Sequence, residues 1–171
     1  NHDCDDYDRK KEVIADIRKN MFNDKEYYRK YLDELYQGMQ TYENFLEVFY
    51  GKGGIEQGGI HNQFHVWKGC LNILSINTAL LCDNNSDKDK LVDINELTAL
   101  EKKDDLPVLC IAHHKLDQLY LDHEDAVKET FGELKVSAMF SGDIHRSMVD
   151  EIYVNPNTIP NYICGKFLGD T

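Results

Sequence analysis

Three short groups of polar residues carry side chains that could bind a metal ion or transfer a proton. They are the pair His113 and His114, the pair Asp143 and His145, and the tripeptide Asn1, His2 and Asp3. Imidazole and carboxylate groups together suit a divalent transition metal such as Zn, Mn or Fe. An acid beside a histidine can also orient the imidazole and raise its basicity, as general acid–base catalysis requires.

Two apolar runs lead into the first two groups. Residues 106–112 form a continuous apolar run, which is typical of a strand buried on both faces, and His113 follows it directly. Residues 135–142 predict a second buried strand, and Asp143 follows that one. Functional residues of layered α/β sheets lie just past the carboxyl ends of the strands, so we expect the two groups to lie close together. Gly142 is expected to let the backbone turn sharply there and approach a metal or ligand.

The rest of the second half alternates between strand and helix patterns. Further strands are predicted at 64–69, 70–77, 151–155 and 161–167, and helices at 93–102 and 123–134. The first two strands should meet at a tight turn around Lys68 and Gly69. This alternation predicts the α/β class, in the sense of an α+β layered fold.

The first sixty residues have a different character. Apolar residues at steps of three or four predict one amphipathic helix or two in tandem, interrupted near Asn23 and Asp24. The stripe is Ile14, Ile17, Met21, Tyr28, Leu32, Leu35, Met39, Tyr42, Leu46 and Phe49. A core-facing stripe is favoured over a partner surface. Residues 51–59 hold five glycines without the G-K-S/T ending of a phosphate-binding loop, so a flexible loop is expected.

Composition narrows the class of protein. The apolar fraction of 42% is close to the globular norm. No apolar run approaches the roughly 18 residues of a membrane span, so no membrane partner is expected. The formal net charge of −12 opposes nonspecific binding to nucleic acid. The five cysteines are scattered without a C-x-x-C motif, which favours a reducing, cytoplasmic location.

The order of these groups resembles that of the calcineurin-like metallophosphoesterases. That family carries the blocks D-x-H, G-D, G-N-H-D/E, a lone His and G-H-x-H in that order. The last three blocks have counterparts here, and the chain begins one residue inside the G-N-H-D/E block. Residues 70–80 are also similar to the family's strand ahead of its middle helix, and residues 92–102 to the helix before its His strand. The likeness covers most of residues 60–170 plus the first three.

The resemblance implies a fold and a domain organisation. Residues 1–171 would be a partial phosphoesterase domain, the C-terminal half of a β-sandwich flanked by helices. Within it, residues 4–60 would be a helical insertion with the glycine-rich loop, and residues 61–171 the sheet-forming core. The missing N-terminal half of the domain is then an implied partner.

The resemblance also implies roles for individual residues. Asn1 would ligate the second metal, and His2 would contact the phosphate and help to protonate the leaving group while Asp3 holds its ring. His113 would ligate the second metal, with His114 as the alternative if the alignment shifts by one residue.

The last block departs from the family at one position. His145 would ligate the first metal, and Asp143 stands where the family has a histidine ligand. Asp143 can serve as a harder ligand or be a plain turn residue. Arg146 could equally lie near the phosphate or on the surface.

The implied activity is hydrolysis of phosphate monoesters or diesters by two divalent metal ions, with Mn, Fe or Zn expected. The D-x-H and G-D blocks have no place upstream of Asn1, so the isolated chain is expected to bind one ion or none and to be weak or inactive. The alternative is a non-catalytic scaffold or regulatory module with a degenerate metal site. A cysteine nucleophile at Cys110 is a further, less favoured alternative.

Overall fold

The structure is a computed structural model that describes residues 12, 15–16, 25–50, 61–79, 90–102 and 104–165. The chain divides into two compact units, with residues 1–60 and 80–86 in the first and residues 61–79 and 87–171 in the second. The first unit contributes two described helices, and the second contains the sheet. The predicted mixture of helices and strands is therefore observed.

The first unit contains two consecutive helices, α1 (Lys25–Gly38) and α2 (Gln40–Tyr50). The interruption lies at Met39, directly after a glycine, which is a poor helix former. Leu32 and Leu46 are buried as predicted, whereas three aromatic residues of α2 are exposed and stack along one side. These are Tyr42, Phe45 and Phe49. The predicted break at 23–24, the stripe residues 14, 17 and 21, and the loop 51–59 lie outside the described residues.

The second unit is built on a six-stranded sheet with the order β1-β2-β3-β4-β6-β5. Its strands are β1 (Gln63–Trp67), β2 (Leu71–Ile76), β3 (Val108–Ala112), β4 (Val136–Ser141), β5 (Met148–Val154) and β6 (Asn157–Ile163). Strands β2, β3, β4 and β6 run parallel, while β1 and β5 pair antiparallel at the two edges. The carboxyl ends of β2, β3 and β4 therefore lie side by side at the same end of the strands.

The strand predictions succeeded at the turn between β1 and β2 and failed at the start of β6. Lys68 and Gly69 both have positive φ values, of 49° and 67°, and the Cys70 amide donates a hydrogen bond of 3.0 Å to the Trp67 carbonyl, as in a turn of the I′ type. The predicted turn is confirmed. Strand β6 spans Asn157–Ile163, whereas a strand was predicted at 161–167, so it begins four residues earlier than expected. Pro160 is tolerated because β4 pairs only with the part of β6 that follows it.

Helices α3 (Ile94–Thr98) and α4 (Leu121–Leu134) connect the parallel strands. Asp93 caps the N-terminus of α3, and its side chain accepts a hydrogen bond of 3.1 Å from the Glu96 amide. Helix α3 ends four residues before the predicted boundary at 102. Helix α4 is followed by its C-cap Lys135, which takes the left-handed conformation common at helix C-termini. A short 3-10 turn, Leu116–Gln118, precedes α4.

The hydrophobic core lies between the sheet and the helices. Leu74 and Val108 contribute from the strands, and Val127 and Phe131 from α4, all without solvent exposure. Burial of these side chains drives the packing of this layer.

The opposite face of the sheet is apolar but accessible. Strand register places Ser75, Ile111, Phe140, Tyr162 and Val149 in one row across five strands. Ile111 is 47% exposed and Val149 is 61% exposed. Sheets of parallel strands are normally covered on both faces, so this face, here called the open face, is unusual. No helix among the described residues is long and apolar enough to cross a membrane.

Candidate functional site

The candidate site is built by the residues that follow β2, β3 and β4. Thr78 lies just past β2, His113 and His114 follow β3 directly, and Asp143 follows β4 after one glycine. The Gly142 amide donates a hydrogen bond of 2.9 Å to the His113 carbonyl, which ties the ends of β3 and β4 together. The strand-end expectation is therefore confirmed for the histidine pair and Asp143.

His113 and Asp143 form the most open part of the site. His113 Nε2 lies 3.6 Å from Asp143 Oδ1, and the two side chains are 47% and 36% exposed. Two ligands of one ion, each about 2.1 Å from it, can be at most about 4.2 Å apart. The separation of this pair is therefore compatible with one shared divalent ion, and the donor chemistry of imidazole plus carboxylate suits Zn, Mn or Fe.

His114 completes a cluster of three potential ligands. One ligand atom of each of His113, His114 and Asp143 lies within 4.8 Å of the other two. The His114 ring meets the His113 ring edge to face, with centroids 4.6 Å apart. Only 4% of His114 is exposed, and this burial, with the neighbouring His113, lowers its pKa to about 4. The ring is therefore neutral at pH 7.

Thr78 holds the His114 ring in place. Its Oγ1 accepts a hydrogen bond of 3.1 Å from the His114 amide and lies 2.8 Å from His114 Nδ1. The segment that carries Thr78 is fixed in turn, because the Asn77 amide donates to Asn62 Oδ1 at 2.8 Å. Asn62 is itself buried and donates to the Asp93 carbonyl at the start of α3.

Asp143 is oriented by Gln118, the last residue of the 3-10 turn. Gln118 Nε2 donates to Asp143 Oδ2 at 2.7 Å, which leaves Oδ1 toward His113. Partial burial works against the charged carboxylate, but the Gln118 hydrogen bond and the nearby histidines outweigh it and lower the pKa of Asp143. Asp143 is therefore ionised at neutral pH, as a metal ligand should be.

The sharp turn after β4 is made by Asp143 itself. Its φ is 66°, and the φ of His145 is 52°, so two non-glycine residues adopt the left-handed conformation within three positions. Gly142 has no positive φ, and an added Cβ there would make only ordinary contacts, 3.6 Å from the His113 carbonyl oxygen. The expected role of Gly142 in the turn was wrong. Asp and His are the side chains that tolerate this conformation best after glycine and Asn.

The remaining predicted residues are not brought into the cluster. His145 and Arg146 are described and exposed, and neither belongs to the group of three ligands found among the described residues. Asn1, His2 and Asp3 lie outside the described residues, so their predicted roles stay predictions. Cys110 is completely buried, and this burial raises the pKa of its thiol, which does not support a nucleophilic role.

Sequence reasoning missed two residues of the site. Thr78 could have been found, because it follows a buried strand just as His113 and Asp143 do. Gln118 gave no signal, because a glutamine in a turn between a strand and a helix has many ordinary roles.

Comparison of the chain with protein-family models, with curated proteins and with solved structures finds no match. A function must therefore be inferred from the chemistry of these residues.

Proposed function

We propose that this chain contributes a divalent metal site to a protein that hydrolyses phosphate monoesters or diesters. The observation that carries the proposal is the approach of His113 Nε2 to Asp143 Oδ1, at 3.6 Å, across the carboxyl ends of two adjacent parallel strands. Their order along the chain is the order of the ligand blocks in the calcineurin-like metallophosphoesterases, which the sequence resembles.

Within this proposal, His113 and Asp143 hold metal ions, and Gln118 keeps the carboxylate in place for that role. His145 is proposed as a ligand of the first metal and Asn1 as a ligand of the second. Two ions of Mn, Fe or Zn would supply an activated water and offset the negative charge of the phosphate. His2 would protonate the leaving group with its ring held by Asp3.

Electrostatics makes the proposed activity depend on bound metal. The chain carries a formal net charge of −12, and Asp143 adds a carboxylate within the site itself. A phosphate ester would be repelled by these charges unless cations reverse the local sign. Substrate binding is therefore expected only in the metal-loaded protein.

The open face of the sheet supports the proposed fold. A β-sandwich buries the inner faces of two sheets against each other, and the open face presents apolar side chains of the kind such a face carries. Ile111, Phe140 and Tyr162 lie side by side on it, with the last two rings stacked at 5.2 Å between centroids. We propose that the N-terminal half of the domain supplies the second sheet. The described cysteines are free, which fits the proposed cytoplasmic location.

A scaffold with a degenerate metal site is the second candidate. It is favoured by Asp143, which stands in a left-handed turn where the resembled family has a histidine ligand. In that case Asp143 would only form the turn, and its hydrogen bond with Gln118 would stabilise that turn instead of orienting a metal ligand.

The test is Mn²⁺-supplemented hydrolysis of an aryl phosphodiester by the complete protein and by its His113→Ala and His145→Ala variants. The proposal expects hydrolysis that a chelator abolishes and that each variant lowers by at least about 10²-fold, as loss of a metal ligand should. Metal analysis of the purified variants separates loss of the ion from misfolding, which circular dichroism reports. A complete protein that is inactive with Mn, Zn, Mg and Fe would refute the enzyme and leave the scaffold.

A further inference from the structure

The hydroxyl group of Thr78 reveals the tautomer of His114. Thr78 is 1% exposed, and in the described part of the chain its hydroxyl has contacts only with the His114 amide and with His114 Nδ1. The amide can only donate, so it occupies one lone pair of Oγ1. A hydroxyl group has one hydrogen to donate, and buried hydroxyl groups are almost always satisfied.

Two arrangements of the second contact are then conceivable. If Nδ1–H donated to Oγ1, the hydroxyl would accept twice, and its own hydrogen would be buried without an acceptor, which costs about 1–3 kcal/mol. If Oγ1–H donates to Nδ1, every hydrogen of the group is used. The second arrangement is favoured, and it places the proton of the neutral His114 ring on Nε2.

A protonated Nε2 is a hydrogen-bond donor and cannot bind a metal ion. This nitrogen has no hydrogen-bond partner among the described residues, although only 4% of His114 is exposed. A buried N–H without an acceptor points to an acceptor that arrives with a ligand. Because Nδ1 is hydrogen-bonded to Thr78, Nε2 is the His114 nitrogen that remains for a ligand bound at the cluster with His113 and Asp143.

We propose that His114 donates a hydrogen bond from Nε2 to an oxygen of the bound phosphate group, and that it is not a metal ligand. Thr78 is the positioning residue that fixes this tautomer. The inference rests on the proposed function for the identity of the ligand. The two histidines then have different roles, because His113 binds the metal and His114 donates a hydrogen bond to the oxyanion.

The arrangement suits stabilisation of an oxyanion. A neutral donor that is fixed before the substrate arrives needs no reorganisation when charge develops on the phosphate oxygens. Loss of one such donor typically lowers kcat by about 10²–10³-fold. Loss of a metal ligand would lower metal affinity instead, so the two roles are separable by measurement.

The first test reads the tautomer directly in the complete, metal-free protein, by long-range ¹H–¹⁵N correlation of the histidine rings. The spectrum is expected to show His114 protonated on Nε2 alone at pH 7. In Thr78→Val the ring should populate both tautomers, and Thr78→Ser, which keeps the hydroxyl, should restore the wild-type pattern. A His114 ring protonated on Nδ1 in the wild-type protein would overturn the proposal without any variant.

The second test compares the two histidines with Co²⁺ and inorganic phosphate as probes. His114→Ala should bind Co²⁺ within about threefold of the wild-type affinity, whereas His113→Ala should lose at least about tenfold. Phosphate binding to the Co²⁺-loaded protein should weaken at least tenfold in His114→Ala. If His114→Ala lost as much Co²⁺ affinity as His113→Ala, His114 would be a metal ligand. If its phosphate affinity were unchanged, His114 would not be a donor to the phosphate. Both readouts are independent of hydrolysis, whose absence would count against the proposed function alone.

Discussion

Gln118 Nε2 donates a hydrogen bond of 2.7 Å to Asp143 Oδ2, so a residue between β3 and α4 orients the carboxylate that follows β4. Gln118 is fixed in turn because its Oε1 accepts a hydrogen bond of 2.8 Å from the Lys115 amide. The Asp143 oxygen nearer to His113 is thereby left for a ligand. Residues around metal ligands commonly act in this way, and their loss lowers metal affinity.

Replacement of Gln118 by leucine should weaken the site without removing a ligand. We expect Gln118→Leu to lower Co²⁺ affinity by about 10-fold or more, in the range found for such neighbours of metal ligands. The pKa of Asp143 should rise toward its ordinary value, because the lost hydrogen bond stabilised the charged form. Co²⁺ titration and ¹³C-detected titration of the carboxyl group measure the two effects. Gln40→Leu, on the exposed surface of α2, is the matched control, and equal affinities of the two variants would show that Gln118 has no role in binding.

Removal of His113 or of the Asp143 charge should abolish tight metal binding. We expect His113→Ala and Asp143→Asn each to lower Mn²⁺ affinity by at least about 10-fold, measured by calorimetry. Asparagine tolerates the left-handed turn, so Asp143→Asn changes the charge with little effect on the backbone. His65→Ala, a histidine on edge strand β1, should bind Mn²⁺ as the wild type does. Undiminished binding by both site variants would place the metal elsewhere.

The buried His114 ring should make the folded protein sensitive to acid. The unfolded chain gains a proton at this ring below pH 6.5, whereas the folded ring stays neutral until about pH 4. The unfolded state therefore binds more protons in this window, and stability falls as the pH decreases through it. The contribution of this ring to the free energy of unfolding should drop by about 3 kcal/mol from pH 6.5 to pH 4.

Urea denaturation in the presence of a chelator, at pH 7 and at pH 4.5, measures this loss. His114→Gln removes the titrating ring, so its stability should fall less over the same interval than that of the wild type. Groups distant from His114 titrate equally in both proteins, so the difference between them reports the His114 ring together with its coupling to His113 and Asp143. If the stability of the wild type and of His114→Gln fell equally between the two pH values, the burial of a neutral His114 ring would be contradicted.

The two faces of the sheet should respond differently to truncation. Leu74→Ala, within the hydrophobic core, is expected to lower the free energy of unfolding by about 2–5 kcal/mol. Ile111→Ala, on the open face, should cost about 1 kcal/mol or less in this chain, as partly exposed positions do. Chemical denaturation measures both.

The same Ile111→Ala variant also tests the proposed sandwich in the complete protein. If a second sheet covers the open face there, the substitution should cost several times more than in the isolated chain. An equally small cost in both would argue against a second sheet over Ile111.

The sequence was sufficient for the chemistry at the ends of β3 and β4. A continuous apolar run that ends in polar residues identifies a buried strand and its tip from local pattern alone, so His113 and Asp143 could be predicted together. The hairpin at Lys68 and Gly69 was equally local, because the turn depends on the conformations of two residues. The start of β6 was predicted four residues too late, because residues 157–160 pair with β5 alone and this pairing leaves no local pattern in the sequence.

The tertiary structure alone decided what each histidine of the pair can do. His113 and His114 are adjacent and chemically identical in the sequence, yet one is half exposed beside Asp143 and the other is buried against Thr78. Thr78 is 36 positions away from His114 along the chain, and it reaches the ring only because β2 and β3 pair in parallel. Gln118 likewise meets Asp143 across 25 positions. A local pattern can identify residue types and strand ends, but burial and hydrogen-bond partners are set by strand order, which brings distant segments together.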